Sequence, residues 1–368
     1  MKVEYSYLFE QFKDHQAIFD DIDAIIRTGD YTLGKVVQEF EENFANLLGA
    51  KYAVGVNSGT DALFLSLKAL GVGEGDEVIT APNTFIATVG AIMASGAKPA
   101  FVDVLDDYTI NPALIEKAIT ARTKAIMPVH YAGHPADMDS IIKIAEEFGL
   151  QVIEDACQAI TAALGNQYVG TIGTAGGFSL HPLKNLNVWG DGGIIVTNSE
   201  DMLNKLILLR NHGLKNRDEV QIFGYNSRLD SIQAVVGNHL IKDIDIITEK
   251  RIRWADKIDK GLRDLPDYIT IPERKRERRY VYHLYMVMGR ERDRLLSFLN
   301  ENGIEAKIHY PIPLHLQTAA AHLGYREGDF PVTETQCKRI ITLPVHQHLF
   351  EDQIDYTIEK IHEFYVGS

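Results

Sequence analysis

Apolar residues recur along the first two hundred positions in short runs, separated by longer stretches of helical periodicity. The runs are YAVGV (52–56), DEVIT (76–80), AKPAFVDV (97–104), KAIMPVH (124–130), LQVIEDA (150–156), GGFSL (176–180) and GGIIVT (192–197). They are rich in Val and Ile and do not alternate cleanly, as strands covered on both faces do not. The helical segment DALFLSLKAL (61–70) opens on Asp61 and is followed by Gly71, and DSIIKIAEEFG (139–149) repeats that design. Strands alternating with helices predict a mostly parallel α/β sheet with right-handed crossovers.

The pattern changes after about residue 235. A long amphipathic stretch, Val235 through Leu262, reads as one or two helices. It leads to VYHLYMVM (281–288), a strand candidate, then to a helix over Asp293 to Asn302, then to IEAKIHYPIP. This is the pattern of a small α+β unit. The expected division is a large domain over 1–245 and a small C-terminal domain over 246–368. The charged run ERKRERR (273–279) reads first as a solvated loop and second as a contact for an anion.

Length and composition narrow the class. A chain of 368 residues fits two or three domains and buries a large core without staples. The formal charge of −14 argues against nucleic acid as a partner, since phosphate binding needs a basic face. Two cysteines, Cys157 and Cys337, exclude a disulfide framework and a Cys-rich zinc module, so no metal site is expected. The N-terminus has no apolar signal core, and no apolar run approaches the ~20 residues of a membrane helix. A cytoplasmic protein without a membrane partner is expected.

Three separated segments carry candidate chemistry. In YAVGVNSGTDALFLSL a strand meets a helix across a polar turn containing Gly59. Free backbone N–H groups and the helix dipole suit such a turn to a phosphate, although most such junctions hold no ligand. In LQVIEDACQAI a buried strand ends in Glu154 and Asp155, with Gln158 three residues on. A carboxylate there can bind a metal, orient a histidine, pair with a cationic ring nitrogen or cap a helix. In GGFSLHPLKNLNVWGDGGIIVT two strand-like runs flank Lys184. A desolvated lysine loses its proton readily and can form a Schiff base, whereas most lone lysines are exposed loop residues. Taken together the three segments match one ligand, pyridoxal 5′-phosphate. It needs a phosphate cup, an acid at its pyridine nitrogen and a lysine at its aldehyde.

Ordered motifs along nearly the whole chain then carry a resemblance. They include NSGTDAL (57–63), APNTFIATVGAI (81–92), PVHYAGHPADMD (128–139), VIEDACQA (152–159), FSLHPLKNL (178–186), GYNSRLDSIQAVVG (224–237), IHYPIPLHLQ (308–317) and ITLPVHQHL (341–349). The sequence resembles the DegT/StrS-type sugar aminotransferases, which are fold-type I pyridoxal-phosphate enzymes. That implies an aspartate-aminotransferase-like fold: a large three-layer α/β/α domain with a mostly parallel sheet, and a small C-terminal α+β domain. It implies that Lys184 joins the cofactor aldehyde and shuttles the proton, and that Asp155 pairs with the pyridine nitrogen. Gln158 would bond the ring oxygen, Phe85 stack on the ring, and Gly59, Thr60 and Ser179 hold the phosphate. For Phe85, ordinary core packing is the competing role. Asn226 would reach the neighbouring subunit's cofactor, which implies a homodimer with shared active sites. His309, Tyr310, His315 and His212 are candidates for lining the substrate pocket, with a structural hydrogen bond as the alternative for each histidine.

The resemblance further implies an amino donor, glutamate, and a keto-sugar acceptor, nucleotide-linked and aminated at C3 or C4. A non-nucleotide keto sugar or a cyclitol is the alternative acceptor. Related sugar dehydratases carry histidine in place of the lysine, so Lys184 argues against dehydration. A non-catalytic regulatory relative would lose Lys184 or Asp155, and this chain keeps both. A nicotinamide dehydrogenase fits poorly, because Asp76 stands where the third glycine of a dinucleotide loop should fall. The chain departs from the family pattern at Ile160, at Trp189 and in the stretch before the lysine strand, all expected near the cofactor.

Overall fold

The computed structural model describes residues 1–367. Its strands, in chain order, are β1 (Tyr52–Val56), β2 (Glu77–Thr80), β3 (Lys98–Phe101), β4 (Thr123–Ile126), β5 (Gln151–Asp155), β6 (Ala163–Leu164) and β7 (Gln167–Tyr168). They continue with β8 (Ala175–Ser179), β9 (Gly193–Thr197), β10 (Ile269–Thr270), β11 (Arg278–Arg279), β12 (Tyr285–Gly289) and β13 (Ile340–Leu343). Seven of them form one sheet in the order β1-β9-β8-β5-β4-β2-β3. The pairs from β8 through β3 are parallel, and β9 runs antiparallel to both of its neighbours. All seven apolar runs of the sequence fall on these strands.

Both faces of the sheet are covered, which explains the unbroken apolar runs. Along β9, Ile194 and Val196 enter a core with Phe40, Phe44 and Phe178, while Ile195 enters another with Leu63, Leu65 and Leu67. The helices Lys35–Leu48 and Ser231–Leu240 supply the first layer, and Gly59–Ala69 with Glu200–Arg210 supply the second. This is the expected α/β/α arrangement.

Local signals explain where the helices begin and end. Ser58 Oγ accepts the Asp61 N–H at 3.1 Å and caps the helix Gly59–Ala69, which starts two residues before the acid that marked it in the sequence. The helix Met138–Phe148 is capped by Asp137 and stopped by Gly149 in the left-handed region (φ +66°). The amphipathic stretch after 235 is divided: Ser231–Leu240, a short 3₁₀ turn at Ile241–Asp243, and the helix Ile244–Gly261.

A second, three-stranded antiparallel sheet, β10-β12-β13, packs with the helices Arg292–Glu301 and Glu351–Val366 around Tyr285, Leu295, Ile341 and Ile354. Val3 joins this C-terminal core and bridges to Ile304, so the chain's first residues pack with its last third. The strand expected over 281–288 begins only at Tyr285. Before it, Val281 N–H and Leu284 N–H donate to Gly133 and Ala132 carbonyls, and Asn185 donates to the Val281 carbonyl. The backbone groups of that segment are spent on the first unit's loops rather than on a sheet neighbour.

The charged run 273–279 is not a solvated loop. Arg278 is buried, pairs with Asp107 at 2.9 Å and donates to the Pro135 carbonyl. Arg274 pairs with Asp259 at 3.1 Å, and its guanidinium lies 5.2 Å from the Tyr282 ring centre. Arg279 reaches Glu249 at 2.7 Å. With β11 laid against β6, whose other edge pairs with β7, the run ties the two halves of the chain together.

Candidate active site

The C-terminal ends of β5 and β8, the turn after β1 and the segment before β12 surround one cavity of about 250 Å³. Lys184, Asp155, Gly59, Thr60, Phe85, Gln158, Ser179, His309 and Tyr310 all line it. Nine residues singled out in five separate sequence segments therefore share one space.

At one end, the helix Gly59–Ala69 presents its first turn. Its first helical bond from this end is Ala62 N–H to the Ser58 carbonyl, so the Gly59 and Thr60 N–H groups are free to meet an anion. Gly59 is there because nothing larger fits: a Cβ would stand 2.6 Å from Ser179 Cβ. The close approach brings the Ser179 hydroxyl beside the helix start.

At the base, Asp155 accepts from Thr88 Oγ1 at 2.7 Å and from Cys157 N–H at 3.1 Å. These donors orient the carboxylate toward the cavity. Burial and the Asp155 charge push the Cys157 thiol well above its ordinary range, so it stays protonated and acts as a packing group. Gln158 Oε1 accepts the Ala132 N–H at 2.7 Å, which leaves its NH₂ group as the donor. Phe85 keeps nearly half its surface exposed and stands 5.8 Å from the Tyr310 ring, a free aromatic face at the cavity wall.

Lys184 is held through its backbone. Its N–H donates to the His181 carbonyl at 2.8 Å, and its own carbonyl accepts from Asn187 at 2.8 Å and from the Tyr7 hydroxyl at 3.1 Å. Its side chain then enters the cavity from a fixed root. Burial lowers the amine below its ordinary value. An amine that deprotonates easily is what a Schiff-base nucleophile requires.

The residues present fit pyridoxal phosphate: an anion cup, a carboxylate for the ring nitrogen, an amide donor, an aromatic face and a desolvated amine. The family model described as the DegT/DnrJ/EryC1/StrS aminotransferase family matches residues 13–362. The chain belongs to that family. Its members depend on pyridoxal phosphate, and solved ones carry it as the aldehyde or the amine form. The chain is 42% identical to a pleiotropic regulatory protein of Geobacillus stearothermophilus, over 99% of this chain and 98% of that one. It is 38% identical to a dTDP-3-amino-3,4,6-trideoxy-alpha-D-glucose transaminase of Streptomyces venezuelae, over 96% and 95%. Its structure matches that of S. venezuelae DesV in complex with a ketimine intermediate at a TM-score of 0.96 and 38% identity, covering 99% and 98%.

Three candidates stand elsewhere. His315 is buried against Glu334 at 3.1 Å and edge-on to Phe330, so it serves the C-terminal packing and not the cavity. Its neighbour Leu314 anchors the segment to Pro82 by a backbone bond, which turns the histidine inward. His212 and Asn226 lie on the exposed loop after the helix Glu200–Arg210, away from this chain's cavity. Trp189 does not reach the cavity either; its ring packs on Phe12 and Phe19, each 5.6 Å away. Sequence reading missed Thr88, Tyr5, Asp191 and His283 on the cavity wall. For His283 a signal existed, one ionisable residue inside the apolar run VYHLYMVM.

Proposed function

We propose that the chain moves an amino group from glutamate to a nucleotide-linked keto sugar, aminated at C3 or C4, in amino-sugar synthesis. The single observation that carries this is the shared cavity: anion cup, Asp155 and Lys184 at once. When bound, pyridoxal phosphate supplies an aldehyde to carry the amino group and a ring that accepts the electrons released with the donor's α-proton. The N–H groups of Gly59 and Thr60, with Ser179, would hold the phosphate. Asp155 would keep the ring nitrogen protonated, Gln158 would donate to the ring oxygen and Phe85 would cover one ring face. Lys184 would hold the cofactor through its amine between turnovers and, once released, would take and return the proton that the donor's α-carbon gives up. With the sugar in place, the same amine would serve the reverse proton transfer. His309 and Tyr310 face the substrate side. Burial holds His309 down to about 4 and Tyr310 up to about 12, so both act as neutral hydrogen-bonding groups.

We place the cofactor domain in residues 1–245 and the small domain in 246–368, with the first residues strapped to the latter. The working unit is a homodimer in which Asn226 completes the partner's phosphate site; its exposure on this chain and the exposed Val220, Phe223 and Tyr225 beside it support this reading. No helix among the described residues is long and apolar enough to cross a membrane. Two unpaired thiols and a nucleotide-linked acceptor support a cytoplasmic enzyme.

The regulatory name of one relative does not displace this reading, because the chemistry-bearing residues are intact here. The test is a panel of nucleotide-linked keto sugars, offered with glutamate and followed by 2-oxoglutarate release. Turnover with a 3-keto or 4-keto sugar nucleotide supports the proposal. Turnover only with a free keto sugar or cyclitol would replace the acceptor.

A further inference from the structure

The ε-amine of Lys184 has one side-chain partner among the described residues, and it is a histidine no motif pointed to. His283 Nε2 lies 3.5 Å from Lys184 Nζ, at the outer limit of a hydrogen bond and closed by a small rotation of either side chain. The segment that carries His283 belongs to the C-terminal half, yet its backbone is bonded to Gly133, Ala132 and Asn185 of the first half. The imidazole is thus fixed against the amine from across the two units.

A fixed cation stands behind it. Arg251 on the helix Ile244–Gly261 is fully buried and has no carboxylate partner among the described residues. Its Nη1 donates to the Tyr282 and Val345 carbonyls at 3.0 and 2.9 Å, and its guanidinium lies over the Tyr7 ring. Arg251 Nε and Nη2 and His283 Nδ1 are buried without partners among the described residues. Both residues line one pocket of about 10 Å³ with Tyr5 and Tyr7, room for about one water. The groups that bear on His283 are therefore Lys184 in front, Arg251 behind, and His181 and His309 around the cavity, with Asp155 beyond the lysine. A second cation between Lys184 and Arg251 would be strongly disfavoured.

We propose that His283 is a positioning residue for Lys184: its Nε2 accepts one N–H of the ε-amine and aims the rest of the amine at the substrate, while Arg251 prevents the imidazole from taking that proton. The assignment rests on Lys184 being the reacting amine. It explains how a proton lifted from one carbon stays on the amine until it is returned at the next. An imidazole free to protonate would pass it on to other groups.

Two readouts test it, one on cofactor-free protein. Competitive acylation of the Lys184 peptide across pH, read by mass spectrometry, gives the amine's titration midpoint. Replacing the acceptor in His283→Leu removes a partner of the ammonium form, so the midpoint falls by about one pH unit. His283→Gln, which retains an acceptor, stays within about 0.3 unit. With cofactor and glutamate, His283→Leu slows the first half-reaction about 10- to 100-fold with KM within about twofold, and His283→Gln recovers most of the rate. If the leucine variant does not fold, His283→Phe supplies the same loss of acceptor. Equal losses in the leucine and glutamine variants, or an unmoved midpoint, overturn the proposal. If the unaltered chain does not react with glutamate but the midpoint moves as stated, the transaminase reading fails and the His283 contact stands.

Discussion

Glu154 and Asp155 are neighbours on β5 and end in opposite surroundings. Glu154 is fully buried and saturated: it pairs with His130 at 2.9 Å and accepts the backbone N–H groups of Gly170, Ile172 and Gly173. Asp155 has two donors and one open side, and the open side is the cavity. The same contrast separates two larger regions. Around Arg274 and Arg278, the carboxylates of Asp107 and Asp259 and the Tyr285 hydroxyl close on the guanidinium groups, and of these Arg278 Nε is left without a partner among the described residues. Around Lys184, the donors of Arg251 and His283 are left over. Where buried polar groups satisfy each other they hold structure, and where they are left open they are available for chemistry.

Four outcomes test that contrast. Asp155→Asn should leave the fold intact and lower the glutamate half-reaction about 10³-fold, about 4 kcal/mol on the barrier, because an amide does not hold a ring nitrogen protonated. Stopped-flow absorbance of the loaded enzyme measures it, and a loss under tenfold would erase the distinction between the two acids. Glu154→Gln should do the reverse, costing about 3 kcal/mol of stability in denaturant unfolding with little direct effect on the reaction.

Acid should weaken the fold. Burial holds His134 and His346 down to about 3 and His309 to about 4, against an ordinary 6.5. The unfolded chain takes up protons below about 6.5 that the fold does not accept until pH 3–4. This contribution is thus complete above pH 6.5 and lost as pH falls through that window, about 2 kcal/mol for each histidine by pH 5. Unfolding free energy that is flat from pH 7 to pH 5 would contradict it. Smallest, Phe85→Leu should weaken cofactor retention by about 1 kcal/mol, read by equilibrium dialysis, as expected for the loss of one stacking face.

The sequence made the sheet legible because its strands are buried on both faces, and made the site legible because Gly59, Asp155 and Lys184 sit at strand ends where an α/β fold gathers its chemistry. It hid what depends on distant pairing. β6, β7 and β11 are two residues each, and β11 lies more than a hundred positions from its partner β6. The run 273–279 looked solvated because its acidic partners Asp107, Glu249 and Asp259 lie outside it. His283 was hidden in an apolar run, and His315 was offered to the pocket by a motif whose local turn faces it toward Glu334.

The central claim is that Lys184 is the amine that holds the cofactor. Borohydride reduction of the protein loaded with pyridoxal phosphate, followed by peptide mapping, tests it most directly. The account predicts the pyridoxyl group on Lys184 alone, and none after Lys184→Ala. A pyridoxyl group on another lysine, or undiminished labelling of the alanine variant, would contradict it.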